Sequence, residues 1–395
     1  MISSKYFIFI VALMIFVNQG LLLAQKKEIS KEIPIQQKKE QSHNIDLSGK
    51  IYFNWHTAYT QDAYNQNTFE IQRLYLTWKE KFNDIFSAKV TTDISKTEKN
   101  CDVVLDFDDD GIIDHTISDN RTQKYELNVK YAYLQTELKH VENIHDKLKA
   151  NVTIGMIATP IIGFIDKQSD ARWIHKNSID DSKKIVGSNV FHGNIDHSAD
   201  LGLSVQFEAM KKVTLIGAIT NGEGYKDVDE GDDNNKAYYG RLTITPITHL
   251  YLSGFYKREG TDAGRPEDFY RGFYGGCVSW MDDIIKAGIL YIIPFVYEDG
   301  SVMEYDDGDK AEMYIMDIWL NINVKSIIDT PLFLYGRYTL GEDKGIDESR
   351  VYYWGTGIGY EFNRHVRFIA YYDSKKEESE DDPENTIWLK SEIKI

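Results

Sequence analysis

From about Asp46 to Ile395 the chain alternates apolar and polar residues with a period of two, in segments of about ten residues. The connections between segments are short and long in turn. Period two marks a β-strand with two unlike faces. Strands of this length, with loops sorted by size onto two rims, predict an all-β chain folded as a transmembrane antiparallel β-barrel.

The predicted strands span 48–60, 67–80, 85–95, 123–137, 150–158, 198–209, 213–221, 236–246, 249–258, 268–280, 285–297, 311–324, 331–340, 350–362, 366–373 and 385–395, sixteen in all. An even count returns both barrel ends to the same rim. The connections at Phe82-Asn-Asp-Ile85, Met210-Lys-Lys212, Pro246-Ile-Thr248 and Asn363-Arg-His365 are tight. Those at 96–122, 159–197, 222–235, 298–310, 341–349 and 374–384 are long and rich in Asp, Glu, Gly and Asn.

Facing follows from parity. Leu74, Leu76 and Trp78 share a face opposite Arg73, Tyr75, Thr77 and Lys79. Tyr352, Trp354, Ile358, Tyr360 and Phe362 oppose Gly355, Gly357, Gly359 and Glu361, and Ile318 and Leu320 oppose Asp317 and Asn321. A charge facing lipid at the midplane costs about 2–4 kcal/mol, so the polar faces must enclose a lumen.

The amino terminus reads as export. Lys5, an apolar stretch from Tyr6 to Val17 and a small residue, Ala24, make residues 1–24 a cleavable signal peptide. Residues 25–45 are charged and Gln-rich and read as a periplasmic tether, leaving 46–395 as the barrel. No later apolar run reaches the roughly 18–20 residues of a spanning helix; the longest, Ala287 to Val296, contains Pro294. Cys101 and Cys277 are too few for a disulfide framework. A net charge of −17 excludes a nucleic-acid partner, which wants a basic face. The 26 tyrosines fit aromatic girdles at two lipid interfaces, so outer-membrane lipid is an expected partner.

Two constellations carry chemistry. Asp106, Asp108, Asp110 and Asp114, with Gly111 between, have the spacing of a wrapped calcium loop. Position twelve is Ile117, so the motif is no EF-hand; it predicts a structural Ca²⁺ in the acidic external loop 96–122. The competing reading is a solvated acidic loop, as at 227–233 and 377–384. By parity, Arg73, Lys89, Lys130, Arg241, Arg271, Arg337 and Arg367 line the lumen against Asp93, Glu126, Asp200, Glu208, Asp317 and Glu361. Rings of one sign would select ions; this near-balance predicts weak selectivity. Alternatively, several of these arginines simply pair with neighbouring acids. His192 and His197 are five apart with no Cys nearby and read as loop histidines, and Asn221-Gly-Glu-Gly224 reads as a turn.

The stretches FEIQRLYLTWKEKF (69–82), GMIATPIIGF (155–164), SADLGLSVQF (198–207), TNGEGY (220–225) and GRLTITPITHLYLSGFY (240–256) resemble the phosphate-selective porins (O/P type) of Gram-negative outer membranes. The resemblance implies an outer-membrane porin, usually a homotrimer, passing small hydrophilic solutes or ions. It also implies that the loop after the fifth strand, 159–197, folds inward as a constriction. Arg172, Lys176, Lys183 and Lys184 in that loop would then give an anion-leaning pore. The acidic external loops and the terminal Ile395 depart from the family pattern. A surface barrel whose calcium-stiffened loops bind ligands shares these features and is the alternative; no nucleophile and base converge, so no enzyme is expected.

Overall fold

The computed structural model describes residues 44–59, 67–105, 115–138, 148–186, 194–222, 224–226, 236–260, 270–298, 301–302, 310–347, 349–380 and 382–395. The expected signal peptide and nearly all of the tether lie outside the described residues. Sixteen long strands form one antiparallel sheet: β1 Asn44–Tyr59, β2 Asn67–Lys81, β3 Phe86–Leu105, β4 His115–Glu137, β5 Leu148–Ala158, β6 Ala199–Ala209, β7 Val213–Thr220, β8 Ala237–Ile244, β9 Leu250–Gly260, β10 Tyr270–Met281, β11 Ile285–Glu298, β12 Met313–Asn323, β13 Leu332–Asp343, β14 Val351–Asn363, β15 Val366–Glu377 and β16 Glu384–Lys394. A two-residue strand, Ser301–Val302, extends the hairpin at the end of β11.

The sheet closes on itself. β16 pairs with β1 from Lys50↔Lys394 to Tyr59↔Asn385, and Gly49 and Ile395 exchange backbone hydrogen bonds of 3.0 and 2.9 Å. Closure satisfies every edge, which a sheet in lipid requires. Among the described residues no helix is long and apolar enough to cross a membrane. The strands cross it instead. Leu76, Ile358 and Leu389 are 52%, 60% and 46% exposed on the outer wall, while Tyr75 and Lys390, each one residue from an exposed leucine, and Asp317 on β12 are buried inside.

The hairpin of β3 and β4 runs further than alternation predicts. Pairing continues through Lys99↔Thr122 to Leu105↔His115. Lys96-Thr-Glu-Lys-Asn100 is polar at successive positions, so the hydrophobic signal is silent there although the backbone ladder goes on. The tip of the hairpin lies outside the described residues. At the opposite rim, Met210 and Lys211 both take positive φ, 53° and 57°, which suits a two-residue turn to the twist of its strands.

The interior of the barrel is asymmetric. Inward side chains of β8–β12 are largely apolar: Phe255, Phe273, Leu290, Ile292, Ile315 and Trp319 are all buried. Those of β2–β4 are Arg73, Tyr75, Lys89, Asp93, Lys130, Tyr131 and Tyr133. The difference decides where the long loop after β5 goes.

The barrel lumen as candidate functional site

Residues 159–186 and 194–198 enter the barrel. Thr159 pins the stem, its Oγ1 donating to the His197 carbonyl at 2.5 Å. A short helix, α1 (Ile162–Ser169), then buries Ile162, Phe164 and Ile165 in one cluster with Phe255, Phe273, Leu290, Ile292 and Ile315. Each fully buried side chain of this kind contributes about 1.5–3 kcal/mol. The chain then crosses to the far wall, where Ala171, Trp173 and Ile174 cluster with Tyr52, Tyr75, Phe333, Tyr335, Ile369 and Tyr371.

Polar anchors fix this path. Ser279 Oγ donates to Gln168 at 2.9 Å, and Arg241 donates to the Pro160 carbonyl. Asp170 ends α1 in the left-handed region, φ 53°, and its carboxylate accepts from Lys286 at 2.7 Å and from both Arg367 amino groups at 3.1 Å. Burial alone would raise Asp170, but Arg367 and then Lys286 outweigh it and hold the carboxyl well below the usual carboxylate range. Arg367 also stacks 4.6 Å over the Trp173 ring. Lys390 donates to the Ile174 carbonyl.

Arg337 makes the densest junction. Its Nε and Nη2 each donate to Asp317 at 2.8 Å, and its Nη1 to the Lys176 carbonyl at 2.8 Å and to His175 Nδ1 at 2.5 Å. His175 Nδ1 also lies 2.7 Å from the Lys176 carbonyl, and its Nε2 faces the Tyr335 hydroxyl. Burial, then Arg337, pushes the His175 imidazole well below its ordinary value. On the return leg Lys257 donates to the Ile195 carbonyl at 2.8 Å. Tyr239 donates to Asp196 at 2.8 Å. Burial pushes the Asp196 carboxyl up to about 6, against the pull of Lys257 at 3.4 Å.

The four expected constriction cations divide. Arg172 is held between Asp180 at 2.5 Å and Asp166 at 3.6 Å, so its charge is compensated within the loop. Lys176 and Lys184 lie 4.0 and 3.5 Å from Asp181. Lys183 is exposed and has no carboxylate within ion-pair distance among the described residues.

The remaining lumen residues are mostly partners of one another. Arg73 meets Asp93 at 2.7 Å, Arg271 meets Glu259 at 2.5 Å, Arg367 meets Glu392 at 2.5 Å, and Lys149 meets Glu208 at 3.6 Å. Glu126 lies inward on β4, and Glu361 lies opposite Arg367 in the ladder. Asp200 accepts from Thr220 and from the Gly222 amide, both at 2.6 Å. Arg241 and Lys390 donate to backbone carbonyls, and three further lysines without a carboxylate partner stand together on one wall. Lys79 and Lys89 oppose each other across β2 and β3, Lys89 sits 4.3 Å over the Tyr131 ring, and Lys130 donates to Tyr75 Oη at 3.3 Å. Among the described residues none of these three lysines has a carboxylate within ion-pair distance. Like charges opposed across a ladder are destabilising. A cavity of about 460 Å³ at the short-turn rim, lined by Lys79, Lys89, Tyr133 and Gln135 and also by Asp46, Glu80, Asp84 and Glu137, opens beside Lys79 and Lys89, whereas Lys130 is buried.

The segment read as a turn, Asn221-Gly-Glu-Gly224, leads into a further lumen contact. Gly222 and Gly224 take φ of 105° and 88°, and a Cβ at Gly224 would fall 2.6 Å from the His197 ring. The chain dips inward and delivers Tyr225, whose hydroxyl donates to Asp93 at 2.5 Å, and Lys226, which reaches Ser95 at 3.1 Å. Tyr225 was invisible to parity because it comes from a loop; paired glycines were its only signal. Asp106, Asp108, Asp110, Asp114 and His192 lie outside the described residues.

No family model and no curated protein matches the chain. Solved structures do. An anion-selective porin from Comamonas acidovorans matches with a TM-score of 0.57 at 10% identity, over 90% of this chain and all of that one. OmpF of Salmonella typhi, in complex with daunomycin, matches with a TM-score of 0.57 at 9% identity, over 91% of this chain and 100% of that one. OmpT of Vibrio cholerae, an outer membrane protein in its trimer form, matches with 0.52 at 10% identity, over 90% and 100%. At such identities the likeness is one of fold, and the chain has the closed sixteen-stranded barrel of the outer-membrane porins.

Proposed function

We propose that this chain is a porin of a bacterial outer membrane, passing small hydrophilic solutes and ions by diffusion with a modest preference for anions. The barrel fold and the charged interior support the pore. The observation that carries the anion preference is the wall of Lys79, Lys89 and Lys130, which lack carboxylate partners while most other lumen cations have one. Inside a narrow, low-dielectric passage such charges are screened far less than acids on external loops, where the Debye length is about 8 Å at physiological salt. Lys183 on the inward loop adds to the same field. The homotrimer implied by the sequence resemblance is supported by a structural neighbour that was solved as a trimer.

Reversal potentials across a planar bilayer in a salt gradient test the reading. The wild type should favour chloride over potassium by a small factor, and Lys89→Glu with Lys183→Glu should reverse the sign. A cation-selective wild type would overturn the anion preference, and absence of conductance would overturn the pore.

A further inference from the structure

The outer wall of β8–β10 carries a groove that nothing inside the barrel explains. Gly254 on β9 and Gly276 on β10 face each other in the ladder and both point toward lipid. Their missing side chains leave an apolar hollow of about 620 Å³, walled by Leu242, Leu252, Val278, Ile289 and Tyr291. A Cβ built on Gly254 meets no atom within 4 Å, so the floor is open space.

Four residues nearer the long-loop rim, on the same face of β9, stands the exposed Arg258. At a strand rise of roughly 3.4 Å per residue it lies about 14 Å along the strand from Gly254. Its guanidinium lies 3.9 Å over the Tyr270 ring, which itself stacks on Tyr297 at 5.0 Å and 14°. Between Arg258 and the groove lie Tyr256 and Tyr274, and Phe295, in the ladder row of Arg258, packs against both, with centroids 6.2 and 6.1 Å apart. Among the described residues no carboxylate lies within ion-pair distance of Arg258. Aromatic belts mark the headgroup level of a bilayer, and a cation on a lipid-facing wall is tolerated only near that level.

We propose that this face binds one phosphate-bearing lipid of the leaflet at the long-loop rim. Arg258 takes the phosphate through its forked donors, the aromatic cluster underlies the headgroup, and one acyl chain fills the glycine-floored groove. The order of cation, aromatic belt and apolar groove along one strand matches the order of headgroup, glycerol or sugar backbone and chain in such a lipid.

Native mass spectrometry of the full barrel tests this, with the protein released from detergent micelles containing equal phosphatidylglycerol and phosphatidylcholine. The wild type should retain phosphatidylglycerol severalfold over phosphatidylcholine. Arg258→Gln should lower that preference to about one. Gly254→Leu should lower retention of both lipids. Both positions are exposed on the outer wall, so the barrel should fold in each variant. Equal retention of the two lipids by the wild type would overturn the proposal, as would unchanged preference in Arg258→Gln. So would a Gly254→Leu variant that retains lipid normally but loses an oligomeric mass, since the groove would then belong to a second copy.

Discussion

Two walls of one lumen are built on the same alternation and end in opposite states. The inward residues of β8–β12 include an apolar set, Phe255, Phe273, Leu290, Ile292 and Ile315, in one buried cluster with Ile162 and Ile165 of the loop after β5, beside charged anchors such as Arg241 and Lys257. The inward residues of β2–β4 include Lys79, Lys89 and Tyr133, which border an open cavity. An apolar inner face would cost free energy against water, so it recruits the loop; on the β2–β4 face the loop's cluster reaches Tyr75, and the part that stays open is the rim around Lys79 and Lys89. The passage is therefore set by which wall the loop cannot cover.

Breaking the anchors should weaken this contrast most. Arg337→Ala leaves Asp317 buried without its partner and frees the Lys176 carbonyl. Removing one member of a buried pair costs on the order of 3–5 kcal/mol. The variant should unfold at lower denaturant, and trypsin should cut after Lys183 and Lys184 faster than in the wild type. Unchanged cleavage would mean that the apolar cluster alone seats the loop.

The loop's pH response should sharpen the comparison by a smaller amount, because two buried groups act in opposite directions. The Asp196 carboxyl is raised by burial to about 6, above the ordinary value of about 3.9. The folded state then holds more protons between these values, and Asp196 contributes stability that is full below about pH 3.9 and lost as pH rises through about 6. His175 is depressed by burial and by Arg337, so its contribution is present above about 6.5 and is lost as pH falls. Comparing unfolding of the wild type with Asp196→Asn and His175→Gln between pH 4 and 7 should therefore show slope changes of opposite sign. Slopes that change the same way would contradict the burial of one of the two groups.

Much of the barrel was legible in the sequence, because the outer face of every strand meets one medium. Leu76, Ile358 and Leu389 had to be apolar and their neighbours did not. The docking wall was also written there, though in a form that parity misreads. Ala287 to Val296 looks like an uninterrupted apolar run, and the structure resolves it into two faces. Ile289 and Tyr291 point to lipid, while Leu290 and Ile292 lie under the loop. A strand apolar on both sides is one that is covered on both sides. What stayed illegible came from loops. Tyr225 reaches Asp93 across 132 residues of chain, and Arg172 turns out to be neutralised by its own loop's Asp166 and Asp180; no local pattern encodes either contact.

The smallest expected effect lies at the tip of the β3–β4 hairpin. If the Asp106–Asp114 spacing binds calcium, as we propose from the sequence, millimolar Ca²⁺ should slow proteolysis between β3 and β4. Asp108→Ala with Asp110→Ala should remove that protection. Equal proteolysis of the wild type with and without Ca²⁺ would make the segment only an acidic loop.

The contrast between the two walls is tested most directly by thiol accessibility during conduction. In a Cys101→Ser background, with Cys277 buried, single cysteines replace Lys89 and Leu290 in turn. A charged methanethiosulfonate reagent is then added to an open channel in a planar bilayer. The account predicts a stepwise fall in current for Lys89→Cys and none for Leu290→Cys. Modification at 290 with no effect at 89 would place the passage on the other side of the loop and contradict it.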